Sequence, residues 1–399
     1  MDLNPADFAI GGVTPSTASA PASAEALRDA VRALAAGATF APWGGGVALP
    51  HAPAPTRYDH ALSLRALTRI VRYEPDDFTI TAECGITIAA LRDALAARGQ
   101  ELPLEAPCAA RATLGGVLAA NASGARRLQF GAPRDRVLGA RLVTGDGVLA
   151  RTGGGVVKNV AGHAVHRLMV GAEGGLGAFV EASLKLLPLP PSRVALVHAA
   201  DAALLADAAR WRGFPRREPA ALSVLGARAA AEALGGAVPA EPFAVVTGFE
   251  GDALWTEASA AFTRAALGAE AFARDAHDVP PLWQALADLE ERPGPRLTCT
   301  SAHRTPAALA PLLTLACADT LVFHAACGRL HLWPAEHERP VLFERLAAAG
   351  FTPVAARGLA LPVRPEDDAT RATRALRERL SAALDPAGAC ALGGRWRSR

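Results

Sequence analysis

The chain has 399 residues, of which 51% are hydrophobic and 20% charged, and a formal net charge of +2. Its length exceeds the roughly 150 residues of an ordinary domain, so two packed units are expected. So small a charge, with only two tyrosines and six tryptophans, gives neither the field nor the stacking surface that nucleic acid requires.

Pro, Gly and Arg interrupt every apolar run before the ~18 residues a membrane span needs, so no transmembrane segment is expected. The first twenty residues lack the basic-then-apolar order of a secretory signal, which makes the cytoplasm the default compartment. Met1 to Pro21, rich in Ala, Ser, Thr and Pro, predicts partial disorder. Ser23 to Gly37 then reads as a helix: Ser23 caps it, Leu27, Val31 and Leu34 share a face, and Gly37 suits a left-handed end. A short strand, Thr39 to Pro42, leads into Trp43-Gly44-Gly45-Gly46.

Phe78, Ile80, Ala82 and Cys84 alternate with polar neighbours, the period of a half-buried strand. A helix from Thr87 carries Ile88, Leu91 and Leu95 on one stripe and closes at Gly99. Val137 to Val143 and Val148 to Arg151 flank Gly145-Asp146-Gly147, a tight hairpin signal. Phe179 to Leu187 alternates and stops at Pro188-Leu189-Pro190-Pro191, a domain boundary. Residues 200–340 mix Ala-rich helical stretches with short apolar strands such as Phe243 to Thr247. The fold class is α+β.

The six cysteines, Cys84, Cys108, Cys299, Cys317, Cys327 and Cys390, have no spacing suited to zinc or iron–sulfur ligation and read as free thiols. Any iron–sulfur cluster in the electron path would sit on another chain.

Three glycine clusters carry the chemistry. Pro42-Trp43-Gly44-Gly45-Gly46-Val47 lets backbone N–H groups converge on an anion without interference from Cβ atoms, which suits a diphosphate, although a triple glycine also reads as a flexible turn. The second cluster is Thr113-Leu114-Gly115-Gly116 with Asn121, Gly124, Gly131 and Asp135. The third is Gly171-Ala172-Glu173-Gly174-Gly175-Leu176-Gly177. Neither has the Gly-x-Gly-x-x-Gly order of a nicotinamide-binding Rossmann turn.

In this order and spacing the clusters resemble the PCMH-type FAD-binding domain shared by vanillyl-alcohol oxidase, D-lactate dehydrogenase and other FAD-linked oxidases, over about Ala41 to Pro190. Leu104-Glu105-Ala106-Pro107, Arg134-Asp135-Arg136-Val137-Leu138-Gly139 and Lys158-Asn159-Val160-Ala161-Gly162 resemble in particular the FAD-binding subunits of glycolate oxidase. The resemblance implies a PCMH-type domain of two α+β subdomains in residues 1–190, a smaller α+β cap or substrate domain in 191–340, and a segment returning toward the FAD domain in 341–399.

It implies FAD contacts from Pro42, Trp43, Gly44, Gly45, Gly46, Val47, Pro107, Thr113, Leu114, Gly115, Gly116, Asn121, Gly124, Lys158, Gly171, Glu173, Gly177, Ala178 and Phe179. Lys158 reads equally as a solvated surface lysine. Covalent members carry a histidine just after the first glycines; Val47 stands there, so noncovalent FAD is expected. Trp43 replaces an Arg that relatives place before the glycines, and His163-Ala164 replaces the usual Tyr-Asp.

Oxidation of a 2-hydroxy acid needs a base for the hydroxyl proton and a cation for the carboxylate. His324-Ala325-Ala326-Cys327-Gly328-Arg329-Leu330-His331 resembles the His-Ala-Gly-Asp-Gly-Asn-Leu-His motif whose histidines bind metal in related D-2-hydroxy-acid dehydrogenases. Cys327 and Arg329 replace its Asp and Asn, and no Ser-x-Glu-His-Gly segment supplies a third ligand, so no metal is expected. His324 and His331 read as packed strand residues with satisfied side chains. With Arg329 they are the candidates for catalysis, for which no base is identified.

Leu384-Asp385-Pro386-Ala387-Gly388 resembles the family's C-terminal turn. The implied partners are a small 2-hydroxy acid, a catalytic flavoprotein subunit and an iron–sulfur subunit. Any membrane association would come through those subunits. A self-sufficient dehydrogenase of another hydroxy acid or alcohol, and an assembly subunit with a vestigial pocket, are the alternatives.

Overall fold

A computed structural model describes residues 3–34, 36–49, 52, 54–154, 164–235, 241–268, 270, 272–274, 278–357, 359 and 368–393. The chain divides into two compact units: residues 1–122, 132–189 and 364–399 make the first, and 123–131 with 190–363 the second. Among the described residues no helix is long and apolar enough to cross a membrane.

In the first unit, three parallel strands lie in the order Thr17–Ser19, His60–Ser63, Phe40–Trp43. The disorder expected of the N-terminal segment is therefore corrected. Phe8 and Ile10 are buried in one apolar cluster with Trp43 and Ala61, and the Phe8 ring meets Trp43 edge-on at 5.3 Å. Burying two such side chains stabilises by roughly 1.5–3 kcal/mol each, enough to hold a segment whose composition alone reads as loose.

The same unit has a five-stranded antiparallel sheet in the order Ile70–Glu74, Thr79–Glu83, Gly177–Lys185, Val137–Thr144, Leu149–Gly153. The last two form the hairpin read from Gly145-Asp146-Gly147, with Gly147 at φ +73. Ala24–Arg32 is a helix whose Ser23 hydroxyl accepts from the Ala26 N–H, and Thr87 caps Ile88–Ala96 in the same way through Ala90. Phe78 lies outside its expected strand, at φ +51, because the chain turns there after Glu74.

The tail of the chain completes this unit. After the helix Asp368–Leu384, the Asp385 carboxylate accepts from the N–H groups of Ala389 and Cys390, fixing a turn that lays Cys390 beside Phe40 as a parallel bridge. Leu392 joins the cluster around Trp43.

The second unit is built on an eight-stranded antiparallel sheet, in the order Phe272–Arg274, Ser192–Ala200, Phe243–Gly251, Ala221–Gly226, Val322–His324, Arg329–Leu332, Arg296–Ser301, Phe351–Arg357. Ala227–Leu234 and Val279–Asp288 pack their buried apolar residues into its core with Trp283. Ser123–Gly131 belongs to this unit. The buried Arg126 guanidinium holds the Glu250 carboxylate at 3.0 Å, Gln129 donates to the Glu250 carbonyl, and the Trp283 indole N–H donates to Glu250 at 2.7 Å.

Candidate cofactor site

The parallel pair Phe40–Trp43 and His60–Ser63 leaves the sheet in register, Trp43 opposite Ser63. The glycine turn and the chain after Ser63 therefore run out side by side. The exposed Arg65 reaches across and donates from Nε to the Gly44 carbonyl at 2.9 Å and from Nη2 to the Gly45 carbonyl at 3.3 Å.

On another side the turn meets the second cluster so closely that side chains are excluded. A Cβ on Gly44 would lie 2.2 Å from Thr113 Oγ1, and one on Gly45 would lie 1.8 Å from the Arg111 carbonyl oxygen. Thr113 caps the short helix Leu114–Ala120, its hydroxyl accepting from the Gly116 N–H. Gly115 donates its N–H to the Cys84 carbonyl, and a Cβ there would stand 3.0 Å from Cys84 Cβ.

The far end of that helix is closed by the third cluster. Asn121 takes the left-handed conformation at its C-cap, the Gly171 N–H donates to Leu118, and the Glu173 N–H donates to Ala119. These bonds satisfy carbonyls that a helix end leaves open. Gly174, at φ +80, would place a Cβ 2.9 Å from Pro42 Cγ. All three clusters thus meet, first against second, second against third, third against first.

The remaining expected contacts divide. Gly177, at φ +133, would drive a Cβ into the Val143 carbonyl at 2.2 Å, so its bare Cα serves strand packing. Ala178 and Phe179 are buried in apolar cores, Leu114 lies in the same core as Phe179, and Val47 packs partly buried against it. Pro107 is half-buried in the loop before Arg111. Gly124 is buried within the second unit. Lys158 and His163 lie outside the described residues. His166 is buried, its Nδ1 3.3 Å from Thr152 Oγ1, and burial pushes its pKa down.

Among the described residues, the Trp43 indole nitrogen and Asn121 Oδ1, buried beside these turns, have no hydrogen-bond partner. A Cβ on Gly46 would lie 3.1 Å from that indole nitrogen, which places it at the edge of the turn. Unsatisfied buried donors and acceptors each cost about 1–3 kcal/mol. A ligand rich in oxygen and nitrogen, held between close-packed backbone, answers both features and is what the dinucleotide FAD offers.

The family described as FAD binding domain matches residues 15–153. This part of the chain is similar to FAD-binding domains. The chain is 44% identical over 136 residues to glycolate oxidase subunit GlcE of Escherichia coli, covering 34% of this chain and 39% of that one. A D-2-hydroxyglutarate dehydrogenase of Xanthomonas citri is 34% identical over 179 residues, 44% of this chain and 38% of its own. The chain thus matches about two fifths of the length of these relatives. Among solved structures, an alkyldihydroxyacetonephosphate synthase superposes on 96% of the chain and 77% of its own length, with a TM-score of 0.68 at 15% identity, a likeness of fold.

Apart from the FAD domain, one group in the second unit assembles titratable side chains. Val322–His324 and Arg329–Leu332 pair antiparallel, and His324, His331 and Glu290 bring ligand-capable atoms within 4.8 Å of one another, all buried. His324 Nδ1 shares a hydrogen bond with Ser223 Oγ at 2.8 Å and His331 Nδ1 with Thr298 Oγ1 at 3.1 Å. Among the described residues both Nε2 atoms lack hydrogen-bond partners, and that of His331 lies 3.6 Å from Glu290 Oε1. The histidines are thus packed strand residues satisfied on one nitrogen only.

Glu290 is the residue that sequence reading missed. It stands in Asp288-Leu289-Glu290-Glu291-Arg292, a charged run that reads as a solvated helix end, and no local motif links it to His324. Burial works to raise its pKa, but attraction to His331 first, then to Arg329 and Arg296, outweighs it and lowers the carboxyl to about 2. Burial, set against the attraction of Glu290, pushes His324 down to about 4 and His331 well below its ordinary value.

The donor set could ligate a divalent ion. However, Arg296 Nη1 at 3.8 Å and Arg329 Nη2 at 3.9 Å from Glu290 Oε2 already balance the carboxylate. A further dication there would meet two partly exposed guanidiniums.

Proposed function

We propose that this chain is the FAD-binding subunit of a 2-hydroxy-acid dehydrogenase complex of the glycolate oxidase kind, taking part in flavin-dependent oxidation of glycolate to glyoxylate. The observation that carries the reading is the meeting of three glycine clusters around the unpartnered Trp43 and Asn121 atoms. The kinship with the Escherichia coli subunit supports the choice of substrate and assembly.

Gly44, Gly45, Gly46 and Thr113 would hold the diphosphate side, where absent Cβ atoms allow backbone to approach an anion. Asn121 would contribute its side-chain amide. Bound FAD supplies the two-electron acceptor of the oxidation. Val47 offers no atom for a covalent bond, so the cofactor is held noncovalently.

The buried group of the second unit supports the partner reading. His324, His331 and Glu290 are all buried. That favours a catalytic flavoprotein subunit and an iron–sulfur subunit over a chain that turns over hydroxy acid alone. No metal belongs to the His324 group, by the charge argument above.

The purified chain is expected to be yellow and to release its flavin into the supernatant on acid precipitation. Alone it should give negligible glycolate turnover with an artificial acceptor, and co-expression with the two other subunits should restore it. Full turnover by the isolated chain would remove the need for partners, and colourless protein that cannot be reconstituted with FAD would defeat the cofactor assignment.

A further inference from the structure

From the contacts of Arg65 we infer that this residue positions the FAD diphosphate loop, clamping the Gly44 and Gly45 carbonyls so that the following amides face the cofactor. The inference rests on the FAD reading above and deepens it.

No cation stands immediately before the glycines, where the buried Trp43 packs against Phe8. Arg65 arrives from the neighbouring strand instead. Because Phe40–Trp43 and His60–Ser63 run parallel and in register, the residues just past Trp43 and just past Ser63 are neighbours. The guanidinium fork bridges two successive carbonyls, at 2.9 and 3.3 Å.

In a trans peptide the carbonyl of one residue and the N–H of the next point in opposite directions. Turning the Gly44 and Gly45 carbonyls toward Arg65 therefore turns the Gly45 and Gly46 N–H groups away from it. Glycine has no side chain to choose among peptide orientations, so three in succession would sample many. The planar fork selects one, and a lysine, which is a single point donor, cannot. On the other side, Thr113 and the Arg111 carbonyl prevent the loop from shifting as a body.

The test is FAD titration of the full chain, stripped of cofactor, by flavin fluorescence and calorimetry, for wild type, Arg65→Ala and Arg65→Lys. Both variants should bind about tenfold more weakly or worse, the effect of losing a charge-assisted hydrogen bond that orders the site. In the cofactor-free chain, amide hydrogen exchange at Gly45 and Gly46 should speed up in Arg65→Lys while thermal unfolding stays unchanged. Arg65→Ala within twofold of wild type, or Arg65→Lys binding as tightly as wild type, overturns the clamp. If Arg65→Ala fails to fold, Arg65→Lys carries the test. Wild type that binds no FAD would sink the cofactor reading instead, and amide exchange would still judge the clamp by itself.

Discussion

Gly174 lies against Pro42: a Cβ added to it would stand 2.9 Å from the proline Cγ, at a backbone φ of +80. These two residues are 132 positions apart in the sequence, yet they set the third glycine cluster against the first. The cradle is thus closed by contact between turns rather than by any one motif.

The tightest of these contacts gives the sharpest mutation. Gly45→Ala would press a methyl group to within 1.8 Å of the Arg111 carbonyl, a backbone atom that can yield only if the loop moves. A cost of about 1–3 kcal/mol in stability and at least tenfold weaker FAD binding are expected. Urea denaturation and flavin titration measure them, and an alanine variant matching wild type in both would show the loops to be slack.

Arg126 and Glu250 form a buried pair within the second unit, at 3.0 Å, with the Trp283 N–H on the same carboxylate. Arg126→Ala leaves that carboxylate short of its main cation and should destabilise by about 3–5 kcal/mol. Chemical denaturation followed by tryptophan fluorescence reads this directly. A loss below about 1 kcal/mol would mean that Arg193, 3.6 Å from Glu250, makes good the deficit.

Acid should weaken the protein through His324. Burial lowers its pKa from 6.5 to about 4 against the attraction of Glu290, so between those values the unfolded chain binds a proton that the folded one refuses. Stability therefore falls as pH drops through that window. Below 4.5 the depressed Glu290 adds to the loss, since its carboxylate must be protonated as pH approaches 2. His324→Gln should reduce the slope between pH 6 and 4, the depressed His331 accounting for the part that remains. The same slope in the variant would place the sensitivity elsewhere.

Elemental analysis should find no stoichiometric divalent ion in the purified chain. The charge balance around Glu290 is the reason, because Arg296 and Arg329 occupy the role a cation would take. One equivalent of zinc or manganese that disappears in His331→Ala would reverse this assignment.

Much of the first unit could be read from local chemistry. Ser23 and Thr87 announce their helices because capping is a matter of three or four neighbouring residues. Gly145-Asp146-Gly147 announces its hairpin for the same reason. The glycine clusters were legible as sites, but their bare Cα atoms turn out to serve one another as much as a ligand: Gly44 faces Thr113, and Gly177 faces Val143.

What stayed hidden depends on long-range pairing. Nothing near Phe243 shows that its strand lies between Ser192–Ala200 and Ala221–Gly226, or that eight strands share one sheet. Thr17–Ser19 joins a sheet only because His60–Leu62 accepts it, so composition alone suggested looseness. Glu290 reaches His331 through tertiary folding, and Arg65 reaches Gly44 through strand register, neither of which leaves a pattern in the neighbouring letters.

The bridge between Cys390 and Phe40 has a consequence for how the molecule is made. Phe40 leaves the ribosome early, and its neighbour in the finished sheet emerges only after every strand of the second unit has been synthesised. The second unit can therefore mature during translation, whereas the first waits, with the Phe40 edge and Gly145 uncovered, until Leu384 to Leu392 arrive.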